Sequence, residues 1–239
     1  MNEVELIGLG KTFDGHPALH EVSVAFRKNT ITAIVGRSGS GKSTLLKSIN
    51  GLVHPSSGKV LVAGQPLDYN SIESQRRQIG YVVQGNGLFP HLTVTQNISI
   101  PGEIAGKTDP SRVGELLAFA DLPASYAGKY PSELSGGEQQ RVALCRALFL
   151  NPPVLLMDEP FGSLDTLTRR DLHKKILEVR KEFKLTMIIV THDVSEAIRL
   201  ADDLLILDGG RVQQFGSRDA VIQSPANSLV KELLQATLN

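Results

Sequence analysis

The sequence predicts an α/β fold with a mostly parallel sheet, an antiparallel β subdomain at the amino end and an inserted α-helical subdomain. Three observations predict it. Short apolar runs such as Ile31-Thr32-Ala33-Ile34-Val35 and Val154-Leu155-Leu156-Met157 have the length of buried strands. Segments of helical periodicity alternate with them, and that order implies parallel strands with ligands at their carboxyl ends. Between residues 85 and 150 the pattern changes, with Pro90, Pro101, Pro110, Pro123 and Pro131 punctuating short helical stretches. A chain of 239 residues has room for one large domain or two small ones with a substantial core. A single domain is expected, in which residues 1–84 and 151–239 form the core with its β subdomain and 85–150 the helical insertion.

Taken in order, Val4, Leu6 and Leu9 lead into a turn at Asp14-Gly15, and Val22, Val24 and Phe26 then alternate with polar or small residues. The strand Ile31–Val35 runs into Gly36-Arg37-Ser38-Gly39-Ser40-Gly41-Lys42-Ser43-Thr44, beyond which Leu45, Leu46 and Ile49 recur at helical spacing. His54-Pro55-Ser56-Ser57-Gly58 is a turn cluster, and 59–62 and 79–83 are strand candidates. The insertion carries a helical face of Val113, Leu116, Leu117 and Ala120. After the strand at 154–157, a helix carrying Leu172, Ile176, Val179 and Phe183 precedes a strand at 187–190. Residues 204–207 and 211–214 flank Asp208-Gly209-Gly210, a hairpin signal.

The stretch 36–44 matches G-x-x-x-x-G-K-[ST] in full, between an apolar strand and a helix, which is the context the motif requires. Its chemistry is that of a phosphate cradle. Glycines let backbone N–H groups close around an anion, and the helix start adds partial positive charge. Lys42 is expected to bridge the outer phosphates and Ser43 to complete a Mg²⁺ shell. This is expected to be a nucleoside triphosphate site in a P-loop NTPase core, with Mg²⁺ beside the phosphates. The strand at 154–157 ends in Asp158-Glu159-Pro160, two adjacent acids that point different ways. Asp158 is expected at the Mg²⁺ shell, and Glu159 to orient or deprotonate the attacking water.

Composition sets the outer bounds. Lys+Arg and Asp+Glu are both 25, so a nucleic-acid partner is not expected. Cys145 is the one cysteine, which excludes an intrachain disulfide and fits a cytosolic protein. The amino terminus lacks the basic start and apolar stretch of a secretory signal, and no window approaches the roughly 18 apolar residues of a membrane span. Membrane work therefore requires a membrane partner.

Leu134-Ser135-Gly136-Gly137-Glu138-Gln139-Gln140-Arg141 resembles the signature of ATP-binding cassette (ABC) ATPases, with Glu138 where Gln is commonest. The resemblance covers essentially the whole chain. It places Phe13 as the aromatic that stacks on adenine, Gln84 as the Q-loop glutamine that reaches Mg²⁺ and the reacting phosphate, Gly162-Ser163-Leu164-Asp165 as the D-loop, and His192 as the switch histidine. Ser135, Gly136 and Gly137 supply a hydroxyl and backbone donors ahead of a helix at 138–150, a second anion site. His192 follows a strand directly, where imidazole can donate to a γ-phosphate. The remaining histidines, His16, His20, His54, His91 and His173, are expected at surfaces or turns, and Cys145 in buried packing.

In this family two cassettes pack head to tail, each ATP lying between 36–44 of one chain and 134–138 of the other, with Asp165 along the seam. The resemblance thus implies a second copy or a similar cassette as partner, and membrane permease subunits received at 85–94 through Leu88, Phe89 and Leu92. It is nearest to bacterial importer subunits of the amino-acid and osmoprotectant (quaternary-amine) types, which work peripherally at the cytoplasmic membrane face with a solute-binding protein. An exporter or lipid-trafficking cassette is the alternative, and a soluble cassette acting on DNA or ribosomes a third. The chain is expected to lack the large carboxyl-terminal regulatory domain of many osmoprotectant relatives.

Overall fold

The computed structural model describes residues 2–162 and 164–238. Two sheets form it. The first is antiparallel, in the order β2-β1-β4-β5: β1 (Asn2–Phe13), β2 (His16–Arg27), β4 (Ser57–Val62) and β5 (Gln65–Pro66). The second has six strands in the order β10-β9-β3-β8-β7-β6. Its members are β3 (Ile31–Val35), β6 (Ile79–Val82), β7 (Val154–Asp158), β8 (Thr186–Val190), β9 (Asp203–Asp208) and β10 (Arg211–Ser217). All neighbours in it are parallel except the hairpin pair β9 and β10.

Strands β3, β7 and β8 are buried from end to end, so both of their faces are apolar, as a central parallel strand requires. Their side chains divide between two cores by the period of two. Ile31, Ala33, Val35, Leu155, Met157, Met187 and Ile189 join the cluster built on α3 (Val94–Ile104), α4 (Pro110–Phe119), α5 (Gly136–Leu148), α6 (Thr166–Phe183) and α7 (Val194–Leu200). Ile34, Val154, Leu156, Ile188 and Val190 meet Leu45, Leu46 and Ile49 of α1 (Lys42–Ile49) and the apolar face of the first sheet. Helix α1 is therefore held between the two sheets, and its amino end sits at the carboxyl end of β3. The short α2 (Ile72–Arg76), α8 (Arg218–Gln223) and the closing α9 (Ser228–Leu238) complete the chain.

Several boundaries differ from the sequence reading. The helix at the signature starts at Gly136 and ends at Leu148, because Ser135 caps it and the first intrahelical bond runs from Gln139 N–H to the Ser135 carbonyl. The strand expected at 59–62 begins at Ser57, the one at 79–83 ends at Val82, and β10 runs on to Ser217. Pro101 lies inside α3 instead of breaking it. That helix has a full Thr93–Gln96 capping box and buries Val94 and Ile98, which together outweigh one missing donor in its last turns.

Candidate functional site

At the carboxyl end of β3 the chain turns through 36–41 into α1. Gly36 admits no side chain, since a Cβ there would collide with the Leu207 carbonyl. Gly39 and Gly41 have φ of +77° and +97°, a region open to glycine at little cost. Gly41 is the N-cap of α1 and contributes no side-chain cap, and no acid occupies the first turn. The leading N–H groups of α1 are thus left for an external anion.

Lys42 is buried at 6% exposure. Its ammonium donates to the carbonyls of Gly36 and Arg37, both at 2.8 Å, and lies 3.5 Å from Ser40 Oγ. Burial lowers its pKa, against the opposing pull of Glu159 and Asp158. The Ser43 hydroxyl donates to Asp158 Oδ1 at 3.0 Å. Asp158 is 3% exposed, and burial raises its carboxyl pKa against the opposing pull of the Ser43 bond, Lys47 and Lys42.

Glu159 stands in left-handed backbone at φ 46°, its N–H bonded to the Val190 carbonyl at 2.9 Å. Gln84 Nε2 donates to Glu159 Oε2 at 3.0 Å, and His192 Nδ1 lies 3.5 Å from Glu159 Oε1. A cavity of about 460 Å³ is lined by Ala18, Ser38–Thr44, Gln84, Glu159 and His192. Four stretches widely separated in sequence, at 18, 84, 159 and 192, therefore meet the phosphate loop. The Ser43 hydroxyl and the Asp158 carboxylate are hard oxygen donors of the kind Mg²⁺ takes alongside phosphate oxygens, and Gln84 keeps its Oε1 free of the Glu159 bond. Among the described residues no cluster of three His, Cys, Asp or Glu side chains could hold a metal alone. A cation here needs the phosphates as well.

Other expected residues stand apart from the cavity. Phe13 ends β1, is 44% exposed and has the Lys11 ammonium 4.8 Å over its ring. Ser135, Gly136, Gly137 and Glu138 begin α5 and do not line the cavity. Their capping box is complete: Glu138 N–H donates to Ser135 Oγ at 3.4 Å, and Ser135 N–H to Glu138 Oε2 at 2.7 Å. That backbone donor holds the Glu138 pKa below the usual range. Asp165 caps α6 through Leu167 N–H (3.0 Å) and Thr168 N–H (3.1 Å), and the Thr168 hydroxyl lowers its pKa. Ser163 of the expected D-loop lies outside the described residues.

One expectation fails. His173 is not at a surface or turn: it is 4% exposed and edge-on to Phe161, ring centroids 4.3 Å apart. Burial, with Arg199 and Arg169 adding, pulls its pKa down to about 4. Its place next to Leu172 and three residues before Ile176 put it on the buried stripe of α6, a signal present in the sequence. The fold also shows what spacing did not: Arg146 of α5 donates to the carbonyls of Gly87 (2.8 Å) and Asn86 (3.0 Å), and Asn86 donates to Gln139 (2.9 Å). The segment after Gln84 is thereby tied to the signature helix. Arg146 also borders a second cavity of about 460 Å³, between Arg76, Tyr81, Pro101, Ile104 and Leu150. Beside it Phe89 is exposed, while Leu88 packs on the core.

Fold and cavity together define a class, the nucleotide-binding α/β domains built on strand, glycine loop and helix. Residues 19–162 match the family model described as ABC transporter, and the chain belongs to that family. The choline transport ATP-binding protein OpuBA of Bacillus subtilis (strain 168) is 41% identical over 234 residues, covering 96% of this chain and 61% of that protein. The glycine betaine/carnitine/choline transport ATP-binding protein OpuCA of the same organism is 40% identical over 223 residues, covering 92% of this chain and 59% of that one. This chain thus spans about three fifths of the length of these curated relatives. A dimeric structure of a post-hydrolysis state of the ATP-binding cassette MJ0796 bound to ADP and Pi matches with a TM-score of 0.81 at 33% identity, covering 90% of this chain and 98% of that one. No helix among the described residues is long and apolar enough to cross a membrane.

Proposed function

We propose that this chain binds and hydrolyses ATP as the energy-supplying subunit of a bacterial importer, working at the cytoplasmic membrane face with separate permease subunits and a solute-binding protein. The observation that carries the reading is the meeting of Gln84, Glu159 and His192 with the phosphate loop in one cavity, while the signature lies outside it. A head-to-tail pair, with a second copy or a similar cassette, brings the missing signature to each ATP. The relatives named for choline and glycine betaine transport favour a quaternary amine as the solute.

In this mechanism the N–H groups of 38–44 cradle the phosphates, and Lys42 exchanges two carbonyl partners for phosphate oxygens. Ser43, Asp158 and Gln84 would hold Mg²⁺, whose charge offsets that building on the phosphates. Glu159 takes the proton of the attacking water, positioned by its bond from Gln84 and with the His192 ring 3.5 Å away. His192 donates to the γ-phosphate. Phe13 offers its exposed ring to adenine, and Asp165 lies at the seam of the pair. The permease docks at 85–94 and the adjoining groove. Arg146 and Asn86 carry that contact to Gln84.

The experiment is reconstitution of the chain with its membrane partner in vesicles, with ATP supplied on the cassette side. Uptake of labelled choline or glycine betaine toward that side is expected. ATP-driven movement in the opposite direction would favour the exporter alternative, and failure to associate with any permease would end the transporter reading.

A further inference from the structure

The signature of this chain contains an acid where an incoming triphosphate is expected. Glu138 Oε2 is taken up by the Ser135 N–H at 2.7 Å. A carboxylate has a second oxygen that a carboxamide lacks, and that oxygen carries charge and lone pairs at the start of α5. Left alone, it would compete with a phosphate for the N–H groups of Gly136 and Gly137, which make no hydrogen bond among the described residues. Here it is occupied. The Tyr126 hydroxyl donates to Glu138 Oε1 at 3.0 Å.

Tyr126 is held for this task. It belongs to the 3-10 turn Ala124–Gly128, its N–H bonds to the Pro123 carbonyl at 2.9 Å, and its ring packs against the helical core. The Lys129 ammonium sits 3.7 Å from the ring centroid, a cation–π contact that helps hold the ring in place. We propose that Tyr126 is a positioning residue for the pairing of two cassettes. Its hydroxyl fixes and masks the Glu138 carboxylate, so that Ser135, Gly136 and Gly137 are presented to the triphosphate bound by the partner copy. The inference rests on the head-to-tail reading above and assigns Tyr126 a part that only an acid at 138 makes necessary.

The test is a cycle of Tyr126→Phe, Glu138→Gln and the double variant, each in full-length chain. Two quantities are measured with MgATP: the protein concentration for half-maximal pairing by sedimentation, and nucleotide affinity of the dilute chain. Loss of one hydrogen bond to a charged group in each half of the pair should raise the pairing concentration of Tyr126→Phe at least about tenfold. Nucleotide affinity of the dilute chain should stay within about twofold, and in the Glu138→Gln background the same Phe substitution should change pairing by less than about twofold. Equal pairing by native chain and Tyr126→Phe would overturn the proposal. So would an equal loss in both backgrounds, which would mean that the phenol only supports the fold. A native chain that never pairs with MgATP would instead remove the head-to-tail reading and the proposal with it.

Discussion

Helices α1 and α5 begin with the same problem and solve it in opposite ways. Each has leading N–H groups without partners inside the helix. At α1 the cap is Gly41, which offers no side chain, no acid follows in the first turn, and a buried Lys42 stands at the first position. At α5 the Ser135–Glu138 box answers two of the donors internally, and the acid adds a negative charge. The α1 end is thus electrically unfinished and calls for an anion. The α5 end is stable by itself and can take only a share of one. In the head-to-tail pair proposed above, that asymmetry makes the second contact weak enough to be lost when the phosphate leaves.

The largest effect should come from Glu159→Gln, which removes the proposed base and no residue proposed to hold the nucleotide. ATP turnover, followed by phosphate release, is expected to fall about a thousandfold. Binding should persist, and with hydrolysis blocked the ATP-bound pair should accumulate in sedimentation. Turnover at the native rate would show that the chemistry does not run through the acid at the end of β7.

Lys42→Ala comes next and tests the α1 end directly. Charge-assisted bonds to phosphate oxygens are lost, so nucleotide affinity of the dilute chain should drop by about 30-fold or more in a fluorescence titration. Thermal stability should change little. The substitution strips partners from the Gly36 and Arg37 carbonyls but also relieves the desolvation that now depresses the ammonium pKa. Affinity unchanged by the loss of Lys42 would break the contrast between the two helix ends.

How far the sequence foretold this contrast depends on the range of the interactions involved. Strands β3, β7 and β8 are legible because each is buried along its whole length, so a five-residue apolar run suffices. The α1 end is legible because its devices are contiguous: glycine, lysine and serine within nine residues. The box at α5 is likewise local, Ser135 and Glu138 being three residues apart. What stayed hidden is nonlocal or depends on which face turns inward. Tyr126 meets Glu138 from another turn, and Arg146 grips carbonyls some sixty residues upstream. Ala18 reaches the cavity only because β2 passes alongside the phosphate loop. His173 is a different failure, since the helical stripe that buries it was in view and its polarity argued the other way. At a pKa of about 4 it stays neutral when folded, so the unfolded chain binds more protons between about pH 4 and 6.5. Its burial therefore costs stability as pH falls through that window.

The smallest expected effect, from Ser135→Ala, is the most discriminating between the two ends. At 3.4 Å the Ser135 Oγ acceptor is a long partner for the Glu138 N–H, so loss of the cap should cost about 0.5–1 kcal/mol in thermal unfolding, the lower part of the range for such caps. The reciprocal bond from Ser135 N–H to Glu138 survives because it uses only backbone on that side. Pairing with MgATP should weaken by at least about fivefold, one charge-assisted hydrogen bond to a phosphate being removed in each half of the pair. Nucleotide binding by the dilute chain should not move, since Ser135 does not line the cavity that holds the phosphate loop. A loss of dilute-chain affinity as large as that from Lys42→Ala would mean that α5 reaches the nucleotide of its own chain. The two helix ends would then serve one site within a single copy, and the need for a partner would vanish.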